Sequence, residues 1–352
     1  MKQGTTLKEL AANLLAQVPD KKDYVADTQM LRLKSSKKEG SRLQMAGDEA
    51  REFSVSDFSH RQIADRLGIP ARYYERMKQQ APELLDTNVN TWFQEKSERR
   101  LIRTLGGTAR AFLSDRYRRL DNAELAEAVL PMISELPGAD IVSCELTETR
   151  MYLKVVNKRL ELDVKPGDPV QAGFILSNSE VGAGSVRVEP LLYRLVCTNG
   201  MIVPDYGQKR YHIGRILESE EQREIYRDET LNADDQAFFL KVQDTIRLAI
   251  DQAKFTHLVE RLREVAAQPL SGNPVRAVEL LSARHELTLT EHGSVLRHLI
   301  AGGDLTRYGL INAVTRASQD ATDYDRATDL ERLGGQLMTL DSRQWNDIAQ
   351  AA

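Results

Sequence analysis

Cysteine is scarce in this sequence: Cys144 and Cys197 are the only two in 352 residues. Both lie in apolar, strand-like runs, which suits reduced thiols in a cytoplasmic protein better than a disulfide framework. Aromatic residues are also few, at 6% of the chain. Aliphatic residues are ample, so a soluble globular chain with a sizeable core and two or three domains is expected. No apolar run approaches the roughly 20 residues of a membrane span, and the opening MKQGTTLKEL lacks the apolar stretch of a secretory signal. The six histidines lack metal-ligand spacing; His285, His292 and His298 fall seven and six apart, not three or four as ligands on one helix turn would. There is no Gly-x-x-x-x-Gly-Lys-Ser/Thr phosphate loop and no Gly-x-Ser-x-Gly nucleophile elbow. No catalytic set, metal or cofactor is therefore expected.

What is present centres on PVQAGFILSNSEVGAGSVRVEPLLYRLVCTNGMIVP, residues 169–204. Two apolar runs flank a small polar loop at 177–185. The pattern predicts a strand, a glycine-rich turn and a second strand ended near Pro190. A short buried segment closed by Asn199-Gly200 follows, with a positive φ expected at Gly200. The loop reads as a hairpin turn, or as a site built on Ser177, Ser179 and Glu180.

Charge is distributed unevenly. Residues 1–217 carry 33 Lys and Arg against 29 Asp and Glu, and residues 218–352 carry 15 against 23. A polyanionic partner would meet the first part.

In chain order, residues 7–15 form an amphipathic helix and residues 30–33 a strand. Lys34, Lys37, Lys38 and Arg42 follow, as a solvated hairpin tip or a phosphate-contacting loop. Residues 59–77 suggest a helix-turn-helix. Ser59 would cap it, Gly68 would end the first helix, and Pro70 would start a second bearing Arg72 and Arg76. Ile63, Ala64, Leu67, Ile69, Tyr73 and Met77 would make its core, and the unit reads as a packing hairpin or a nucleic-acid contact. Residues 88–93 look strand-like. Between 95 and 119 stand Lys96, Arg99, Arg100, Arg103, Arg110, Arg116, Arg118 and Arg119. Residues 99–103 and 109–113 predict a hairpin turned at Gly106-Gly107. With Tyr117 and Phe112 beside it, the hairpin could track a phosphate backbone; equally, its arginines could pair with acids elsewhere.

A helix at 124–136, interrupted at Pro131, precedes strands at 141–146, 151–156 and 160–164. Residues 233–267 predict one long helix, and 275–285, 290–299, 305–318 and 323–337 predict others. The expected fold is α+β: an antiparallel sheet with helices on one side, followed by a helical C-terminal domain. Its parts are a helix-turn-helix-like region at 1–81, an α+β core at 82–204, a polar linker at 205–230 and the helical domain at 231–352.

ARAFLSDRYRRLDN (109–122), GFILSNSEVGAGSVRVEPLLYRLVCTNGM (173–201) and TRYGLINAVTRASQD (306–320) together resemble a family of phage- and plasmid-encoded proteins catalogued as DUF932. The resemblance implies a mobile-element setting and supplies no activity. The strand–helix–three-strand order of 109–203 is also similar to the core of single-strand annealing proteins, by topology alone. These features lead to the expectation of a nucleic-acid-binding protein that holds or anneals single-stranded DNA. So few basic residues per chain would call for a homo-oligomer. A helix-turn-helix regulator and a nucleic-acid-processing enzyme are the alternatives.

Overall fold

Alternation organises the N-terminal third. Leu31, Leu33, Leu43 and Phe53 are buried, while Arg32, Lys34 and Arg42 between them are exposed, as in strands that bury one face. The computed structural model describes residues 1–47, 50–117, 119–204, 228–270 and 272–349. In it, β1 (Lys21–Asp27), β2 (Leu31–Ser36), β3 (Gly40–Met45), β4 (Arg51–Val55), β5 (Arg99–Leu105) and β6 (Thr108–Ser114) form one six-stranded sheet. Its order is β1-β5-β6-β4-β3-β2, with only the β4–β6 pair parallel. The β5–β6 hairpin turns where expected: Gly106 and Gly107 have φ of +54° and +79°, the conformation of a type I′ turn. This hairpin joins the N-terminal strands and stands apart from the strands that follow it.

Preceding the sheet is α1 (Leu7–Gln17); α2 (Asp57–Arg66), α3 (Ala71–Gln80) and α4 (Pro82–Glu95) cover the sheet's apolar face. Several details differ from the sequence reading. The cap of α2 is Ser56, whose Oγ accepts the Ser59 N–H at 3.1 Å; Ser59 itself is buried. Gly68 does end the helix at φ +66°, and Ile69 folds back so that its N–H bonds the Ala64 carbonyl. Tyr74, not Tyr73, enters the core, since α3 begins at Ala71 and Tyr74 and Met77 share its inner face. Residues 88–93, expected as a strand, lie in α4. Their strand-forming side chains are overruled by the four-residue spacing of Leu85, Val89 and Phe93, all buried.

The second sheet contains β7 (Ala139–Leu146), β8 (Met151–Lys165), β9 (Asp168–Asn178), β10 (Arg187–Arg194) and β11 (Asn199–Ile202), in the order β11-β10-β9-β8-β7 and antiparallel throughout. Pro190 lies inside β10 instead of ending it. Its carbonyl accepts the Val203 N–H, so its missing N–H faces Val203, one residue past the end of the short β11, and only the reciprocal bond of that last pair is forgone.

Leu153, Val155, Phe174 and Leu176 on one face pack against α1, α5 (Asn122–Glu135) and α6 (Asp228–Ala249). Pro131 sits within α5 without ending it. The remaining helices are α7 (Gln252–Ala266), α8 (Pro274–Arg284), α9 (Leu289–Gly302), α10 (Arg307–Ala317), α11 (Tyr324–Met338) and α12 (Ser342–Ala349). Tyr324 of α11 packs on the opposite face with Tyr152, Val156 and Ile175, so helices cover both faces of this sheet. The fold is α+β with a helical C-terminal region. That region shares one core with Val164, Val170 and Leu192 of the sheet. The long helix expected over 233–267 divides at Asp251, whose carboxylate caps α7 through the Lys254 N–H. Residues 205–227, most of the expected linker, lie outside the described residues.

At Asn199-Gly200 the positive φ belongs to Thr198 (+51°), while Gly200 continues into β11. Asn199 bonds Thr315 of α10 rather than local backbone. A Cβ on Gly200 would meet Leu191 Cδ1 at 3.0 Å, the end of a side chain that can yield. A Cβ on Gly335 would meet the Ile202 carbonyl oxygen at 1.9 Å, where α11 rests directly on β11. Gly200→Ala should therefore leave the melting temperature within a few degrees of wild type. Gly335→Ala should cost about 1–3 kcal/mol in a denaturant titration. Equal melting of the two variants would refute the close α11–β11 approach.

Candidate functional site

The arginine-rich hairpin meets the second sheet edge-on through a β-bulge. Arg103 pairs with Ala111 and Thr104 with Ala109, leaving Arg110 unopposed. Such an extra residue bends its strand and re-aims its side chain. Arg110 Nη1 lies 2.6 Å from Glu180 Oε2. Lys21 Nζ lies 2.6 Å from Oε1, and the backbone N–H of Asn122, in the first turn of α5, donates to the same oxygen at 2.6 Å. Glu180 is 2% exposed. Burial alone would raise its carboxyl pKa; Arg110, Lys21 and the Asn122 N–H outweigh burial and hold it below its ordinary value.

Arg103, 1% exposed, completes the junction. Its Nε donates to Asp23 at 3.0 Å, Nη2 to Asp121 at 2.6 Å and Nη1 to the Glu180 carbonyl at 2.9 Å. Tyr117 OH donates to the Ser179 carbonyl at 2.9 Å. Gln62 ties α2 to both neighbours, donating to the Val181 carbonyl and accepting the Phe112 N–H. The 177–185 loop is thus more than a turn: it delivers Glu180 between the two sheets. A cleft of about 450 Å³ opens beside it, lined by Ser56, Thr108, Arg110, Asn122, Thr147 and Arg150 among others.

The hairpin does not present the exposed basic face considered above. Arg100 is buried against Glu98 and the Phe112 ring, and Arg103 and Arg110 are held inside the junction. Arg99, Arg116 and Arg119 stay at the surface, Arg99 near Asp115 and Arg119 3.3 Å from Asp23. Arg118 lies outside the described residues. Arg72 and Arg76 are exposed on α3, with Arg76 3.4 Å from Gln80.

Cations do face solvent on the β2–β3 ribbon. Arg32, Lys34 and Arg42 share its outer face, Lys37 and Lys38 occupy its tip, and Lys34 stands directly opposite Arg42. Arg42 also lies 3.3 Å from Glu52. The outer edge of β2 is closed by α4, because Asn90 bonds both backbone groups of Leu33 and Asp86 accepts the Ser35 N–H. That closure blocks strand addition and leaves the side-chain face as the accessible surface.

The profile of a family described as a domain of unknown function, DUF932, matches residues 109–333. The chain belongs to the DUF932 family. No curated protein and no solved structure matches it. The DUF932 region opens beside the bulge and takes in Arg110, Asn122, Arg150 and Glu180; Lys21, Asp23 and Arg103 come from the sequence before it. Nor does the strand–helix–three-strand order form one sheet, since β6 lies in the first sheet and β7, β8 and β9 in the second.

Proposed function

We propose that this DUF932 protein binds single-stranded nucleic acid, DNA in a mobile-element setting, along the outer face of the β2–β3 ribbon. The observation that carries this reading is where the charge sits. Residues 21–120, which hold the first sheet and its helices, carry 21 Lys and Arg against 14 Asp and Glu; residues 121–352 carry 25 against 36. Within the basic part, the exposed cations line a ribbon, and like charges placed opposite each other, as Lys34 and Arg42 are, gain from an anion between them.

Polarisation measurements with single- and double-stranded oligonucleotides across a salt series test this. Replacing Arg32, Lys34 and Arg42 with Ala should weaken binding to every sequence and flatten the single-strand salt slope by about 2, at roughly 0.7 per lost phosphate contact. An unchanged slope sinks the ribbon as the binding face. A second reading, duplex docking by α3, is favoured by Arg72, Tyr73 and Arg76 being exposed on that helix. It requires a double-strand preference that disappears in Arg72→Ala/Arg76→Ala. If strands are held for pairing by a homo-oligomer, the protein should speed duplex formation between complementary oligonucleotides without ATP or Mg²⁺.

A further inference from the structure

Arg110 carries an unfilled fork. Its Nη1 engages Glu180, yet Nε and Nη2 are buried and have no hydrogen-bond partner among the described residues. Those two N–H groups form a single edge of the guanidinium, the edge that holds two oxygens of one anion in parallel. Arg103, on the partner strand, makes the contrast: its Nε, Nη1 and Nη2 all have oxygen partners supplied by the protein. Buried donors are normally satisfied, so a whole empty edge calls for a partner from outside the chain.

The surroundings suit an oxyanion. Arg110 lines the 450 Å³ cleft together with Arg150 and the hydroxyl-bearing Ser56, Thr108, Thr147 and Thr149. That volume lies within the roughly 300–1,000 Å³ of small-molecule sites, and it exceeds what a bare phosphate needs. Lys21 and Arg110 share the single carboxylate of Glu180, an excess of one positive charge around Arg110, while Arg150 is outweighed by Glu148 and by Asp325, which accepts the Thr147 and Thr149 hydroxyls. Among the described residues no donor bonds Glu180 Oε2 although it lies in the ion pair, which leaves an acceptor for a ligand hydroxyl. We infer that the junction cleft binds a phosphate group, seated on the Nε–Nη2 edge of Arg110, as part of a small hydroxyl-bearing phosphate ester or of a strand terminus. The β-bulge exists, on this view, to bring Arg110 to the cleft.

The inference stands apart from the ribbon and is tested apart from it. Titration calorimetry on the intact protein would use inorganic phosphate, a 5′-mononucleotide, and an oligonucleotide with or without a 5′-phosphate. Binding of phosphate or mononucleotide is expected, and Arg110→Lys, which keeps a cation for Glu180 but lacks the fork, should weaken it at least tenfold. A preference for the 5′-phosphorylated oligonucleotide over the unphosphorylated one would assign the site to strand ends; a response to the mononucleotide alone would assign it to a free ester. Thr108→Val provides a second variant should Arg110→Lys not fold, and it too should weaken phosphate binding. Absence of heat with every phosphate compound, or equal affinity in wild type and the variants, overturns the inference. Loss of the ribbon's salt slope would leave these results unchanged.

Discussion

Glu180→Ala is expected to lower the unfolding free energy by about 3–5 kcal/mol, read from the denaturant midpoint at neutral pH. The carboxylate is the shared counter-charge of Lys21 and Arg110, and it accepts the Asn122 N–H that begins α5. Removing it leaves two cations together without their shared counter-charge. Glu180→Gln separates the charge from the shape: the amide oxygen can still accept the Asn122 N–H, but neither cation is neutralised. Its pH dependence follows from the depressed carboxyl pKa. A carboxylate favoured in the folded state stabilises fully above its unfolded value, near the ordinary 4.5, and that contribution is lost as pH falls through the lower folded value. The gap between wild type and Glu180→Gln should therefore be widest near neutrality and close in acid. A gap that persists undiminished in acid, or is absent at neutral pH, would show that this carboxylate does not hold the sheets together.

The same residue shows how far the sequence could be read. The hairpin at 99–113 was legible because Gly106-Gly107 permits one tight turn between two alternating runs. The helix expected at 275–285 was legible from its apolar spacing, and it runs from Pro274 to Arg284 with Asn273 as its cap. The destination of the arginines was not. Asp23 lies 80 residues from Arg103 in sequence, so pairing between them is set by how two sheets dock and leaves no local trace. The bulge at Arg110 is equally silent, since Ala109-Arg110-Ala111 reads as regular alternation whether or not a residue is skipped. In α4, Val89, Thr91, Trp92 and Phe93 have the side chains of a strand, and only the spacing back to Leu85 contradicts them. Glu180 did leave a signal: it is the single acid in a small-residue loop between the most apolar strands of the chain, and a charge in such a place needs a partner.

Lys154→Met and Glu331→Leu are each expected to destabilise by about 3–5 kcal/mol, while the double replacement should return to within about 1 kcal/mol of wild type or exceed it. Both side chains are 0% exposed, with Lys154 Nζ 2.6 Å from Glu331 Oε2. Burial pulls the lysine below its ordinary pKa, and Glu331 restores only part of the loss. Around the pair, Nζ lies 4.4 Å from the centroid of the Tyr324 ring, Ser318 Oγ donates to Glu331 at 3.4 Å, and Glu331 also favours the charged form of the buried Met1 amino group. Either single change strands one buried charge among Tyr152, Tyr324 and the backbone of β8. The double change removes the desolvation of both ions and fills the space with apolar atoms, which is why the two effects should not add. Urea midpoints of the four proteins give the coupling directly. Recovery in the double variant would mean that the pair aligns α11 on β8 without net stabilisation, whereas a double variant as unstable as the sum of the singles would mean that each charge has separate partners essential to the core.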